Sequence, residues 1–96
     1  MTPSRVKNRD EAKREWIRTF PCLVFPHGDC VGTTECAHIR HGVHKDDDCM
    51  VPLCRQHHQE QHNWGNLKFQ RRYDTHLTGV GRKYHATWIA LQEWAA

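Results

Sequence analysis

Apolar residues along this chain come in short bursts, and the spacing of each burst predicts an element. Residues 8–18, NRDEAKREWIR, predict a first helix. Asn8 is a candidate N-cap, Asp10 and Glu11 fall where the helix dipole favours acids, and Arg14 and Arg18 come late. Phe20-Pro21 ends it. Residues 21–36 hold two prolines and two glycines and predict short extended pieces joined by turns. CAHIRH, 36–41, predicts a strand with Cys36, His38 and Arg40 on one face and Ala37, Ile39 and His41 on the other. GVHKDDD, 42–48, is a polar loop, and CMVPLC, 49–54, a second extended piece. From Cys54 the pattern predicts a helix ending near Gly65, a residue suited to the position after a C-cap. Asn66 is a candidate cap for a further short helix, LKFQRRYDTHL. Gly79 and Gly81 predict a break before a last helix at 82–95, whose stripe is Tyr84, Trp88, Leu91 and Ala95, with Trp88 and Trp94 read as core. No internal repeat or low-complexity segment is visible.

At 96 residues there is room for one small domain with a modest core, which excludes a doubly wound nucleotide-binding fold or an α/β barrel. No apolar run approaches the roughly 18 residues a membrane span needs. The charged opening stretch, MTPSRVKNRDEAKREW, lacks the apolar centre of a signal peptide or anchor. The expected setting is cytoplasmic and away from membranes.

Charge is partitioned along the chain. Residues 1–18 carry six basic and three acidic side chains, 19–63 three basic and six acidic, and 64–96 five basic and two acidic. An acidic centre between basic arms points to cations in the middle and a polyanion outside. The pI of 8.7 stays under the value of about 9 typical of nucleic-acid domains, so a solvated surface explains the charge equally well.

The cysteines and histidines sharpen the picture. All five Cys lie between Cys22 and Cys54, and seven of the nine His between His27 and His62. An odd number of Cys interleaved with His favours metal binding over a disulfide framework. A bound ion also supplies the staple that a short chain needs. Cys54-x-x-His57 spans about one helical turn, so both side chains can meet one ion. Cys22 and Cys30, with a Pro-His-Gly turn between them, supply the upstream pair. The expected structural zinc ligands are Cys22, Cys30, Cys54 and His57, with Cys36 as the competing candidate for Cys22 or Cys30.

His58 and His62 are four apart on the helix that follows, so they share a face and can bind one ion. Two surface histidines on a polar helix would look the same. Upstream lie His38 and Arg40 on one strand face, then Asp46, Asp47 and Asp48 before the second extended piece.

The stretch AHIRHGVHKDDDCMVPLCRQHHQEQHNWGNLKF resembles the zinc-ribbon branch of the HNH (ββα-metal) endonucleases, above all the small phage- and prophage-borne members. The features are Ala37-His38-Ile39-Arg40, the acid before Val-Pro-Leu-Cys, Cys54-Arg55-Gln56-His57-His58, and Gln61-His62 followed by Gly65 and Phe69; Cys22 and Cys30 ahead of them fit the same branch. The match spans about residues 20–70. It implies a small α+β fold: a zinc-stapled ββα-metal core at 20–65, a basic helical arm at 1–19 and a helical C-terminal extension at 66–96, all in one nuclease domain.

The resemblance further implies that His38 is the general base and that His58 and His62 hold the catalytic divalent cation. Asp47 falls near the family's central Asn, with Asp46 or Asp48 as substitutes. The family often has an acid or His just before the base, where this chain has Ala37. The implied cofactors are structural Zn2+ and catalytic Mn2+ or Mg2+, imidazole ligands leaning towards Mn2+. Neutral imidazole suits proton abstraction near neutral pH. Arg40 could clamp a phosphate oxygen, or be an ordinary surface arginine. DNA is the expected partner. Arg5, Lys7, Arg9, Lys13, Arg14 and Arg18 on one arm, Lys45 in the loop, and Lys68, Arg71, Arg72, Arg82 and Lys83 on the other arm are candidate phosphate contacts, salt-sensitive and nearly blind to sequence. A monomer or weak homodimer with one site per chain would nick one strand. The alternative is a non-catalytic zinc-ribbon module that binds DNA or protein; a metal-storage or redox protein would leave the basic arms unexplained.

Overall fold

The computed structural model describes residues 11–39 and 49–95. Residues 11–18 form a helix, α1, and Phe25–His27 a single 3-10 turn. Strands β1 (Thr34–His38) and β2 (Met50–Cys54) pair antiparallel. Helices α2 (Arg55–Trp64), α3 (Asn66–Tyr73) and α4 (Leu77–Ala95) follow. The fold is a small α+β arrangement whose centre runs strand, strand, helix, as expected. Among the described residues no helix is long and apolar enough to cross a membrane.

Hairpin register sets which side chains meet. Cys36 stands opposite Pro52, Ala37 opposite Val51 and His38 opposite Met50. Alternation then sends Ala37 and Ile39 into the core, while Cys36 and His38 stay partly exposed. Pro52 has no N–H for a ladder, but its carbonyl accepts from Leu23 N at 2.8 Å, which lays the 21–24 segment along β2. Val24, Val51, Leu53, Phe69, Tyr73 and Leu77 complete the core. The Tyr73 hydroxyl donates to Glu60 and ties α3 to α2.

Helix boundaries depart from the sequence reading in three places. Asn66 is the first residue of α3, not its cap; its side chain instead accepts from Gln61 Nε2 at 2.6 Å. That helix stops at Tyr73, where Asp74 turns left-handed at φ 51°. Most telling, α4 begins at Leu77 and runs through Gly79 and Gly81 without a break. Its start is capped twice: Gln70 Oε1 accepts from Leu77 N at 2.8 Å and His76 Nδ1 from Gly79 N at 2.9 Å. Gly81 is buried against β2, where a Cβ would lie 2.5 Å from Cys49 Sγ and 3.2 Å from the Met50 nitrogen. Glycine is there for close approach.

α1 returns onto α4 through aromatic rings. Trp16 stands 5.4 Å from Trp88 and 6.1 Å from Tyr84, and Phe20 is 5.1 Å from Tyr84, measured between centroids. Lys13, 8% exposed, reaches His85 Nδ1 at 2.8 Å. It therefore joins two helices and is not available as a phosphate contact. The expected stripe is filled only in part, since Leu91 is exposed, and Trp94, read as core, is 89% exposed and is not core.

Candidate metal centre and the histidine cavity

Two left-handed residues, Gly28 (φ 84°) and Asp29 (φ 62°), turn the chain after the 3-10 turn so that Cys30 comes back towards Cys22. Arg55 N donates to Thr33 O at 3.0 Å and Gln56 N to Val31 O at 3.1 Å, which stitches this knuckle to the start of α2. Gly32 permits the closure, since a Cβ there would stand 2.8 Å from Arg55 Cβ. Cys54 is the N-cap of α2, its sulfur accepting from His57 N at 3.4 Å.

Ligand atoms of Cys22, Cys30, Cys54 and His57 consequently all lie within 4.8 Å of one another. His57 turns Nδ1 towards the three sulfurs, at 3.5 Å from Cys22, 3.6 Å from Cys30 and 3.1 Å from Cys54. A tetrahedral site with metal–sulfur bonds near 2.3 Å and metal–nitrogen bonds near 2.0–2.1 Å has N···S edges of roughly 3.5 Å. The four residues thus fit a metal such as zinc, and all are free thiols or imidazole. Burial pushes the Cys22 thiol up. Loss of hydration beside the Cys54 and Cys22 sulfurs pushes Cys30 up to about 12. Burial also opposes the Cys54 thiolate, but N–H groups of His57 and Val31 aimed at its sulfur hold it below its ordinary value. A cation in the pocket would favour the thiolate at all three.

Cys36 is not part of this cluster. Its thiol donates to Met50 Sδ at 3.2 Å and replaces neither Cys22 nor Cys30. Cys49 is a buried thiol against Thr78 O at 3.6 Å.

Further along α2 a cavity of about 610 Å³ is lined by Cys36, His38, His58, Gln61, His62 and Asn66, among others. The three histidines singled out from the sequence therefore share one pocket. His58 and His62 bring their Nε2 atoms to 3.2 Å, as the four-residue spacing predicts. Sequence reasoning missed the residue behind them. Glu35 Oε1 lies 2.9 Å from His58 Nδ1, and its other oxygen 3.5 Å from Arg55 Nε. The His58 hydrogen bond, with Arg55 beside it, holds the Glu35 carboxyl below its ordinary value against the opposing effect of burial. With Nδ1–H given to Glu35, Nε2 is the nitrogen of His58 that faces His62.

Gln61 was also missed as a site residue. It is buried, lines the cavity, and leaves Oε1 without a hydrogen-bond partner among the described residues; His57 Nε2 is in the same position.

The remaining expected residues divide. Arg40, Lys45, Asp46, Asp47 and Asp48 lie outside the described residues, as do Arg5, Lys7 and Arg9. Arg14 and Arg18 both pair with Glu11, at 3.0 and 3.4 Å. On α3, Arg71 and Arg72 are exposed, Arg72 lying 5.1 Å from the centre of the Tyr73 ring, and Lys68 approaches Trp64 to 5.7 Å. No protein-family model matches this chain, and neither a curated protein nor a solved structure does so.

Proposed function

We propose that the chain is a metal-dependent DNA endonuclease that hydrolyses phosphodiester bonds, stapled by zinc on Cys22, Cys30, Cys54 and His57. One observation carries the reading: the Nε2 atoms of His58 and His62 converge to 3.2 Å in a cavity that His38 also lines. Two imidazoles on one ion, at bond lengths of about 2.0–2.1 Å, stand roughly 3.0–3.4 Å apart. The Glu35 hydrogen bond to the far nitrogen of His58 is the outer partner that metal-bound imidazoles commonly have.

A divalent cation there, Mn2+ or Mg2+, would supply charge neutralisation at a phosphate. His58 and His62 hold it and Glu35 keeps His58 in the required tautomer. His38 takes a proton from water, a contribution of about 10²–10⁴-fold when a base is well placed. Arg40, read from the sequence as sharing a strand face with His38, would clamp a phosphate oxygen, and Asp47, near the family's central Asn, would orient the hairpin or contribute a carboxylate. Arg14, Arg18, Lys45, Arg71 and Arg72 supply phosphate contacts, so binding is weakly sequence-selective and weakens with salt. A single cavity of this kind would nick one strand.

The test is cleavage of supercoiled plasmid by the zinc-loaded protein with added Mn2+. Open circles should form before linear DNA. His38→Ala should abolish cleavage while zinc content and the circular dichroism spectrum are kept; an unaffected His38→Ala overturns the reading. The competing reading, a non-catalytic zinc-ribbon module, draws on the same contact: at 3.2 Å it is also a hydrogen bond between two neutral rings. It expects no second ion to bind, which metal titration of the zinc-loaded protein decides.

A further inference from the structure

Gln61 has an unusual position on α2. It follows His57 by one turn and precedes His62 directly, it is only 7% exposed, and it is one of the residues that line the histidine cavity. The amide nitrogen is used, donating to Asn66 Oδ1 at 2.6 Å. With the nitrogen engaged in this way, the oxygen is the end left over. The oxygen is buried and has no partner among the described residues. A buried carbonyl oxygen without a donor is unfavourable, and a leucine of similar size would carry no such penalty. The oxygen is therefore suited to a donor that arrives in the cavity.

The chemistry of that donor can be narrowed. A phosphate oxygen is itself an acceptor and would be repelled. An O–H group is the match. In the hydrolysis proposed above, the attacking water gives one hydrogen to His38 and still carries a second, which needs an acceptor if the oxygen lone pair is to stay aimed at phosphorus. We infer that Gln61 Oε1 accepts this second hydrogen and orients the attacking water; the inference rests on the endonuclease reading. In the step, the water oxygen forms a bond to phosphorus as its first proton moves to His38. The bond from phosphorus to the leaving sugar oxygen breaks, its electron pair goes with that oxygen, solvent protonates it, and His38 returns its proton to solvent. The second hydrogen stays on the new phosphate hydroxyl against Gln61 until it is lost to solvent. One water and one phosphodiester give a phosphomonoester and an alcohol.

His57 supplies the competing arrangement. Its Nε2 is a buried nitrogen without a partner among the described residues, one turn earlier on the same helix. A solvent molecule bridging His57 Nε2 to Gln61 Oε1 would make Gln61 an outer partner of the Cys/His cluster instead.

The experiment compares the native full chain, zinc-loaded, with Gln61→Leu and Gln61→Glu, using Mn2+ with bis(p-nitrophenyl) phosphate and supercoiled plasmid. Gln61→Leu should lower kcat by about 10- to 100-fold, the scale of a misdirected reactant, with KM little changed. Zinc content should be kept and the thermal midpoint should change little, because removing the unpaired buried oxygen offsets the loss of the hydrogen bond to Asn66. Gln61→Glu, which keeps an acceptor, should recover a large part of the loss. A crystal structure of the zinc-loaded protein should show solvent within hydrogen-bonding distance of both Gln61 Oε1 and the His38 ring. Solvent bridging Gln61 to His57 overturns the proposal whether or not the protein cleaves DNA. Unchanged kcat in Gln61→Leu, or loss of zinc with it, overturns the proposal alone. A native protein that cleaves nothing overturns the endonuclease reading and this step together.

Discussion

Glu35 on β1 reaches across to α2 and takes the Nδ1 hydrogen of His58 at 2.9 Å, so a strand carboxylate decides which nitrogen of a helix imidazole faces His62. The expected consequence is a measurable weakening of cation binding when that carboxylate is neutralised. Glu35→Gln should lower Mn2+ affinity of the zinc-loaded protein by about 10- to 100-fold, the usual scale for such outer partners, as read by calorimetric titration. Unchanged affinity would mean that the His58 ring needs no carboxylate to hold its tautomer.

Removing a thiolate should act on the whole molecule. Cys54 is at once a cluster residue, the N-cap of α2 and the last residue of β2. Cys54→Ser, or a strong chelator on the native chain, should release about one equivalent of metal and abolish the cooperative unfolding transition, because metal binding and folding free energy are one quantity in small sites of this kind. A chain that stays folded and cooperative after complete metal removal would contradict this.

Gly81→Ala tests the close contact of α4 with β2. Helix propensity alone favours alanine by about 1 kcal/mol. The added carbon would meet Cys49 Sγ at 2.5 Å and the β2 backbone at 3.2 Å, which cannot yield cheaply. A net destabilisation of about 1–3 kcal/mol is expected from overpacking, measured by urea unfolding of the metal-loaded protein. An equal or higher midpoint would show that α4 has room to move.

Alkaline pH probes the α1–α4 aromatic contact. Burial raises Tyr84 above its ordinary 10.0, and burial with the Glu60 hydrogen bond raises Tyr73 further. These are the only two tyrosines. Ultraviolet titration of the folded protein should show little phenolate at pH 10, while the chain in denaturant titrates normally. Above pH 10 the unfolded state then binds fewer protons than the folded state, so stability falls as pH rises through that region. Normal titration of Tyr84 in the folded state would mean that its ring is not packed as described.

Local spacing explains what could be read ahead of the structure. Cys54-x-x-His57 and His58-x-x-x-His62 each lie within one helix turn or its cap, so their convergence follows from helical geometry. Cys22 and Cys30 are joined by a glycine-bearing turn, which is a local signal too. Glu35 was hidden because strand alternation assigns it to the face opposite Cys36 and His38. Only the pairing of Glu35 with Leu53, which brings the start of α2 alongside, lets it reach His58. Gly79 and Gly81 misled for a related reason: glycine signals a break by propensity, yet in α4 the bare backbone of Gly81 meets a requirement set by Cys49, far away in sequence. Trp94 shows the converse, a large apolar residue read as core that stands 89% exposed.

His57 and His58 are adjacent in the chain, yet one turns to the sulfurs and the other to the cavity. A single peptide unit in the opening turn of α2 is thus common property of both environments. Whatever frees the thiols, whether an oxidant at exposed Cys30 or a competing chelator, would slacken that turn and disarm the neighbouring imidazoles without ever entering their pocket.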